Sequence, residues 1–216
     1  MKKLVLFDLD GTLTNTSYDI ADSVNKTMRQ FGYPEITLEE AIKFVGNGAR
    51  KLIERSLKGA PCDNFDEVLD RYNEIYNYCG SPKTYVYDGM KDVMKRLVDA
   101  GFMLAIISNK PQAGTDEVVK TFFSDIPLSY VYGQREGIKT KPDRACVDFV
   151  LKELKISAKD AVFVGDSDVD AMTAINAGID GVCVLWGYRP KEILEEVGAK
   201  TFVSTPEELY EKILSL

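Results

Sequence analysis

The chain has 216 residues, 45% of them hydrophobic and 28% charged, which suits one soluble globular core or a core with a small insert. A net charge of −7 without any Lys/Arg stripe argues against general nucleic-acid binding, so an anionic substrate must be met by local cations and a metal rather than by a global field. The absence of histidine excludes every mechanism that needs an imidazole.

In chain order, Lys2-Lys3 followed by the apolar run Leu4-Val5-Leu6-Phe7 imitates the start of a signal peptide. Asp8 ends that run far short of an h-region, no small-residue cleavage site follows, and no other stretch approaches membrane-spanning length. Cys62, Cys79, Cys146 and Cys183 sit in unrelated segments without Cys-x-x-Cys spacing, which reads as free thiols in a reducing compartment. A cytoplasmic protein with no membrane partner is expected.

The opening run reads as a buried strand that ends on Asp8 and Asp10, with Gly11 allowing the tight turn behind them. Residues i and i+2 of a strand share a face. Taken alone, the segment is equally a strand followed by an ordinary Asp-Gly turn. From residue 17 to about 78 no strand is evident. Ile20, Val24, Met28 and Phe31 recur at helical spacing as far as Gly32. Thr37-Leu38-Glu39-Glu40 signals a helix start, Leu52, Ile53 and Leu57 continue the pattern to Gly59, and 65–78 forms a further helix.

Beyond Pro82 the texture changes to short apolar runs alternating with amphipathic helices. Helices are predicted over 90–100, 117–123, 144–154, 169–177 and 206–214, and strands over 103–107, 130–132, 161–164, 181–185 and 201–203. Such alternation implies βαβ units and a doubly wound parallel sheet, an α/β fold. The first strand must belong to that sheet. The expected organisation is therefore a core of residues 1–14 and 83–216 with an all-helical cap, 15–82, inserted after the first strand. Hinges are expected over 13–16 and 79–84.

Every candidate functional residue follows a strand or opens a helix: Asp8 and Asp10, Ser108-Asn109-Lys110, Lys141-Pro142, and Gly165-Asp166-Ser167-Asp168-Val169-Asp170. In a parallel sheet these segments converge on one edge. Singly, each has a plain structural explanation: a turn, a surface cation or an N-cap.

Together and in this order, the four segments resemble the four motifs of the haloacid dehalogenase-like hydrolase superfamily, in its branch with a helical cap after the first motif. The resemblance implies a Rossmann-like core and the following roles. Asp8 is the nucleophile that forms an aspartyl-phosphate, and Asp10 is the general acid and then the base. Ser108 and the backbone at Asn109 bind the phosphoryl oxygens, and Lys141 neutralises developing charge. Mg²⁺ is held by Asp8, the Asp10 carbonyl and Asp166, while Asp170 acts through a metal-bound water or by orienting Lys141. Asp168 reads better as a solvated acid at a helix start.

Asp10 favours phosphoryl transfer over dehalogenation, because an alkoxide needs a proton and a halide does not. The Phe44-Val45-Gly46-Asn47-Gly48-Ala49-Arg50, Ser108-Asn109-Lys110-Pro111 and Trp186-Gly187-Tyr188-Arg189-Pro190 segments are similar to those of phosphoglycolate phosphatases. That likeness implies a small phosphorylated metabolite as partner, with Gly46, Asn47 and Gly48 near it and Arg50 on its carboxylate. A helix boundary at the glycines with Arg50 on a solvated face is the competing reading. One departure from the subfamily is Asp143-Arg144 after Lys141-Pro142, where a second proline is common. A sugar-phosphate mutase, a pyrophosphatase and a non-catalytic binding module are the alternatives, and the assembly is expected to be a monomer or homodimer.

Overall fold

The computed structural model describes residues 2–79 and 82–216. In chain order, β1 (Leu4–Phe7) and β2 (Thr14–Asn15) lead into helices α1 (Ser17–Phe31), α2 (Leu38–Phe44), α3 (Ala49–Ser56) and α4 (Phe65–Cys79). There follow β3 (Tyr85–Val86), α5 (Met90–Asp99), β4 (Met103–Pro111), α6 (Gln112–Phe122), β5 (Leu128–Gln134) and α7 (Ala145–Leu154). The chain closes with β6 (Ala161–Gly165), α8 (Asp168–Ala177), β7 (Asp180–Val184), α9 (Lys191–Glu196), β8 (Phe202–Val203) and α10 (Pro206–Leu214).

Six strands form one sheet in the order β5-β4-β1-β6-β7-β8, and every neighbouring pair is parallel. β1 lies between β4 and β6, with Leu4 opposite both Met103 and Ala161. From β1 the chain winds one way through β4 and β5, then returns to β6 and winds the other way. The strand order thus reverses beside β1, where such sheets open a ligand crevice at their carboxyl ends.

Helices cover both faces, which is why β1 is an unbroken apolar run rather than an alternating one. Val5 and Phe7 pack with Met90, Met94 and Leu97 of α5 and with Leu209 and Ile213 of α10. Leu4 and Leu6 pack on the other side with Val147, Val150 and Leu151 of α7 and Ala174 of α8.

Helices α1 to α4 bury a cluster of their own, built on Ile20, Val24 and Met28 of α1, Leu52 and Ile53 of α3, and Val68, Tyr72 and Tyr76 of α4. α1 ends where expected: Gly32 is left-handed, and the Gly32 and Tyr33 amides donate to Arg29 and Met28 carbonyls. α2 opens on the Thr37/Glu40 capping box. The pattern expected to run on to Gly59 is broken at Gly46 (φ 118°) and Gly48 (φ 84°), backbone angles that end one helix and force the next to restart at Ala49.

Other differences have physical causes. β2 and β3 pair antiparallel as two-residue strands, too short to leave a period in the sequence. They place hydrogen bonds at the hinge expected over 13–16. The second expected hinge, over 79–84, includes residues 80 and 81, which lie outside the described residues. α6 starts at Gln112 rather than at 117, because its first turn (Gln112, Gly114, Thr115) is polar and glycine-bearing. α9 is six residues long, in a segment for which the sequence predicts no element.

Candidate active site

β1 ends at Phe7, and the Asp8 amide donates to the Val164 carbonyl of β6 at 2.9 Å, which brings Asp8 beside the end of β6. That neighbouring end delivers Asp166 and, one turn into α8, Asp170. Ser167 caps α8: its Oγ receives the Asp170 amide and itself donates to Asp170 Oδ2 at 2.6 Å. The motif acid is therefore locked by the helix start that carries it. Lys141, 3% exposed, reaches in from the segment before α7. Its Nζ lies 2.6 Å from Asp8 Oδ1 and 2.6 Å from Asp170 Oδ1.

Asp166 is gripped more tightly than any reading of the sequence suggested. Thr12 Oγ1 donates to Oδ1 at 3.0 Å and the Tyr188 amide donates to Oδ2 at 2.7 Å. Gly11 and Gly187 flank it so closely that a Cβ on either would collide with the Asp166 side chain. The two glycines thus admit the carboxylate between two loops.

The charge balance of this cluster is unfavourable without a further cation. Burial, then the neighbouring Asp170 and Asp166 charges, raise the Asp8 pKa well above the usual carboxylate range, against the pull of Lys141. Burial and Asp170 likewise push Asp166 up to about 7, although the Tyr188 amide and Thr12 support its charged form. For Lys141, burial opposes the charge, but Asp170 and Asp8 outweigh it and raise the pKa. Oxygen atoms of Asp8, Asp166 and Asp170 all lie within 4.8 Å of one another. A buried all-carboxylate donor set with one ammonium against three acids fits a hard divalent cation. The Asp10 carboxylate is not in that group. Its Oδ1 receives Thr16 Oγ1 at 2.7 Å and lies 2.9 Å from Lys110 Nζ.

Asp8, Asp10, Lys141 and Asp166 floor a cavity of ≈ 60 Å³. Ser108 and Asn109 line it from the end of β4, and the α2–α3 junction roofs it with Val45, Gly46 and Gly48. Tyr72 and Tyr76 of α4 close one side.

Several expected site residues are used differently. The Asn109 side chain is spent on backbone: Nδ2 donates to the Gly46 and Lys141 carbonyls (2.9 and 3.0 Å), and Oδ1 accepts the Lys141 amide at 2.8 Å. Only its main chain is left for an anion. Arg50 stands apart from the cavity. It is 62% exposed, pairs with Asp66 at 2.7 Å and stacks on Phe65, because it leaves α3 on the solvent side. Asn47 is likewise outside, held by Arg55 Nη2 at 2.9 Å. Asp168, expected as a solvated acid, pairs with Arg189 at 3.4 Å.

Residues named only within motif segments, with no role assigned, also enter the cavity. Lys110, buried between Asp10 and the Tyr76 hydroxyl (2.6 Å), stands on the floor. Burial opposes its charge, yet Asp10 and Tyr76 raise its pKa. Tyr188 and Arg189 line the cavity from the loop after β7. Their only sequence signals were the Ser-Asn-Lys-Pro and Trp-Gly-Tyr-Arg-Pro segments, which mark a lineage without saying what each side chain touches.

Residues 5–184 match the family described as haloacid dehalogenase-like hydrolase. The chain belongs to that family. Among its relatives, the phosphoglycolate phosphatase of Colwellia psychrerythraea is 32% identical over 96% of this chain and 95% of its own. The phosphoglycolate phosphatase of Vibrio cholerae is 32% identical over 88% of this chain and 87% of its own. A crystal structure from Lactobacillus delbrueckii subsp. bulgaricus, provisionally named a phosphoglycolate phosphatase, superposes with a TM-score of 0.92 at 29% identity, covering 99% of both chains. The haloacid dehalogenase-like fold, a parallel sheet with a helical cap, is therefore common to this chain and that structure. No helix among the described residues is long and apolar enough to cross a membrane.

Proposed function

We propose that this haloacid dehalogenase-like hydrolase is a Mg²⁺-dependent phosphatase of small phosphomonoesters, and that 2-phosphoglycolate is the substrate to test first. The observation that carries the reading is the buried Asp8–Lys141–Asp166 group on the floor of a small roofed cavity, with Asp170 paired to Lys141. The names of the relatives support the substrate. Residues 15–82 act as the cap over a core of 1–14 and 83–216, and the cytoplasm is the compartment that three free thiols, Cys62, Cys146 and Cys183, suit.

In the first half-reaction an Asp8 oxygen attacks phosphorus. The new O–P bond forms as the ester P–O bond breaks, and Asp10 gives the departing alkoxide its proton. Thr16 and Lys110 hold Asp10 Oδ1, so Oδ2 is the oxygen that carries that proton. In the second half-reaction Asp10 takes a proton from water, whose oxygen attacks phosphorus and releases the Asp8 carboxylate. Ser108 and the main chain at Asn109 orient the phosphoryl oxygens, and Lys141 stabilises their charge in both steps. Asp170 and Asp8 hold Lys141 in place for this. Asp8, Asp166, Asp170 and the Asp10 carbonyl would hold the metal, which supplies electrostatic stabilisation and screens the phosphate from the acids.

The test is phosphate release with Mg²⁺ across 2-phosphoglycolate, sugar phosphates, nucleotides and pyrophosphate. A kcat/KM for 2-phosphoglycolate well above the others supports the proposal. Preference for pyrophosphate, or transfer between sugar positions without release, would replace it with the pyrophosphatase or the mutase. Turnover of nothing in the panel would leave a binding module.

A further inference from the structure

The roof of the cavity is attached to its floor by an unusual set of contacts. α2 is a short helix whose last carbonyls lack intrahelical partners, as at any helix end. Arg189, from the core loop after β7, reaches across to them. Its Nη1 donates to Ile42 O at 2.8 Å, and its Nη2 donates to Val45 O at 2.6 Å and Lys43 O at 3.2 Å. Asn109, from the end of β4, takes the next carbonyl, Gly46 O, at 2.9 Å. Two core side chains therefore grip the carbonyls of 42, 43, 45 and 46.

The grip is prepared from the core side. Asp168, in the first turn of α8, pairs with Arg189 Nε at 3.4 Å and aims the guanidinium at the cap. The Arg189 side chain is only 12% exposed. Its cationic fork also faces the negative end of the α2 dipole. Arg189 lines both the active cavity and a second hollow outside it, bounded by Glu39, Lys43, Asn47 and Ile193, so it stands as the wall between them. Asn109 carries the contact inward, since it also holds both backbone polar groups of Lys141.

We infer that Arg189 is a positioning residue that latches the carboxyl end of α2 to the core, holding the cap closed over Asp8. The latch rests on the phosphatase reading for its purpose, and on the bonds of Arg189 for its existence. When the cap lifts, the Arg189 bonds to residues 42, 43 and 45 and the Asn109 bond to Gly46 O break together, while Asn109 keeps its two bonds to Lys141.

The test compares wild type with Arg189→Ala, Arg189→Lys, Asp168→Asn and the exposed control Arg50→Ala. Hydrogen exchange is followed in peptides covering α2 and residues 45–48, and kinetics on 2-phosphoglycolate with Mg²⁺. Arg189→Ala should speed exchange across 38–48 while peptides covering β4 and β6 stay as in wild type. It should lower kcat/KM by at least about tenfold, the loss expected for even one charge-assisted bond. Arg189→Lys should recover part of both effects and Asp168→Asn should show both in weaker form, with Arg50→Ala unchanged. Unaltered exchange in 38–48 for Arg189→Ala overturns the latch, as does a uniform rise in exchange over the whole chain, which would mean a global stability role. Wild type that turns over no ester would instead undo the phosphatase reading, and the exchange comparison would still decide the latch.

Discussion

Asp166→Asn should make the metal-free protein more stable near neutral pH while removing its activity. Asp166 is 1% exposed, and its pKa rises from 3.8 to about 7 in the folded protein. A raised carboxylate pKa means that the folded state binds the proton more tightly than the unfolded one. Its stability therefore falls as pH climbs from the unfolded to the folded value, then levels off. At about 1.4 kcal/mol per pKa unit, the raised pKa costs the folded protein about 4 kcal/mol near pH 8 and about 2 kcal/mol near pH 5. Asparagine removes that cost and can keep both contacts, its Oδ1 accepting the Tyr188 amide and its Nδ2 donating to Thr12 Oγ1, whose hydroxyl can accept. The net expectation is a gain of about 4 kcal/mol near pH 8 that shrinks to about 2 kcal/mol near pH 5. Urea denaturation in chelator at the two pH values measures it. Adding Mg²⁺ should reverse the order near pH 8, since wild type gains a ligand that the variant binds poorly. A variant that is destabilised equally at both pH values would refute the account of Asp166 as a carboxylate held charged at a cost for the sake of the metal.

Asp8→Asn should abolish turnover and leave the far-UV circular dichroism unchanged, because the amide has nearly the same shape but is a poor nucleophile; steady-state phosphate release measures it. Arg50→Ala should keep kcat/KM within about twofold of wild type on 2-phosphoglycolate, since an exposed ion pair contributes roughly 0–1 kcal/mol and the residue lies outside the cavity. Lys110→Met should strip the partly buried Asp10 of its cation and lower stability by about 2 kcal/mol, read from urea unfolding. Its kcat should fall as well, since Asp10 loses a group that orients it.

The α/β core was legible before any coordinates because its signals are local. A buried parallel strand must be apolar throughout, so Leu4 to Phe7 and Ala161 to Val164 stand out, and the helices between strands carry their own period and caps, such as Gly32 and the Thr37/Glu40 pair. The site acids were legible because each follows a strand, and parallel strands deliver all such positions to one edge. Tertiary structure alone decided which side chains face the cavity. Arg50 and Lys110 are both cations next to motif residues, yet one leaves α3 towards solvent and the other is drawn between Asp10 and Tyr76. The same holds for Arg189, whose partners are carbonyls about 145 residues away in sequence. A backbone carbonyl has no identity in the sequence, so a contact to one leaves no motif. Neither does the clamp of Gly11 and Gly187 on Asp166, which exists only where two loops meet in the folded chain.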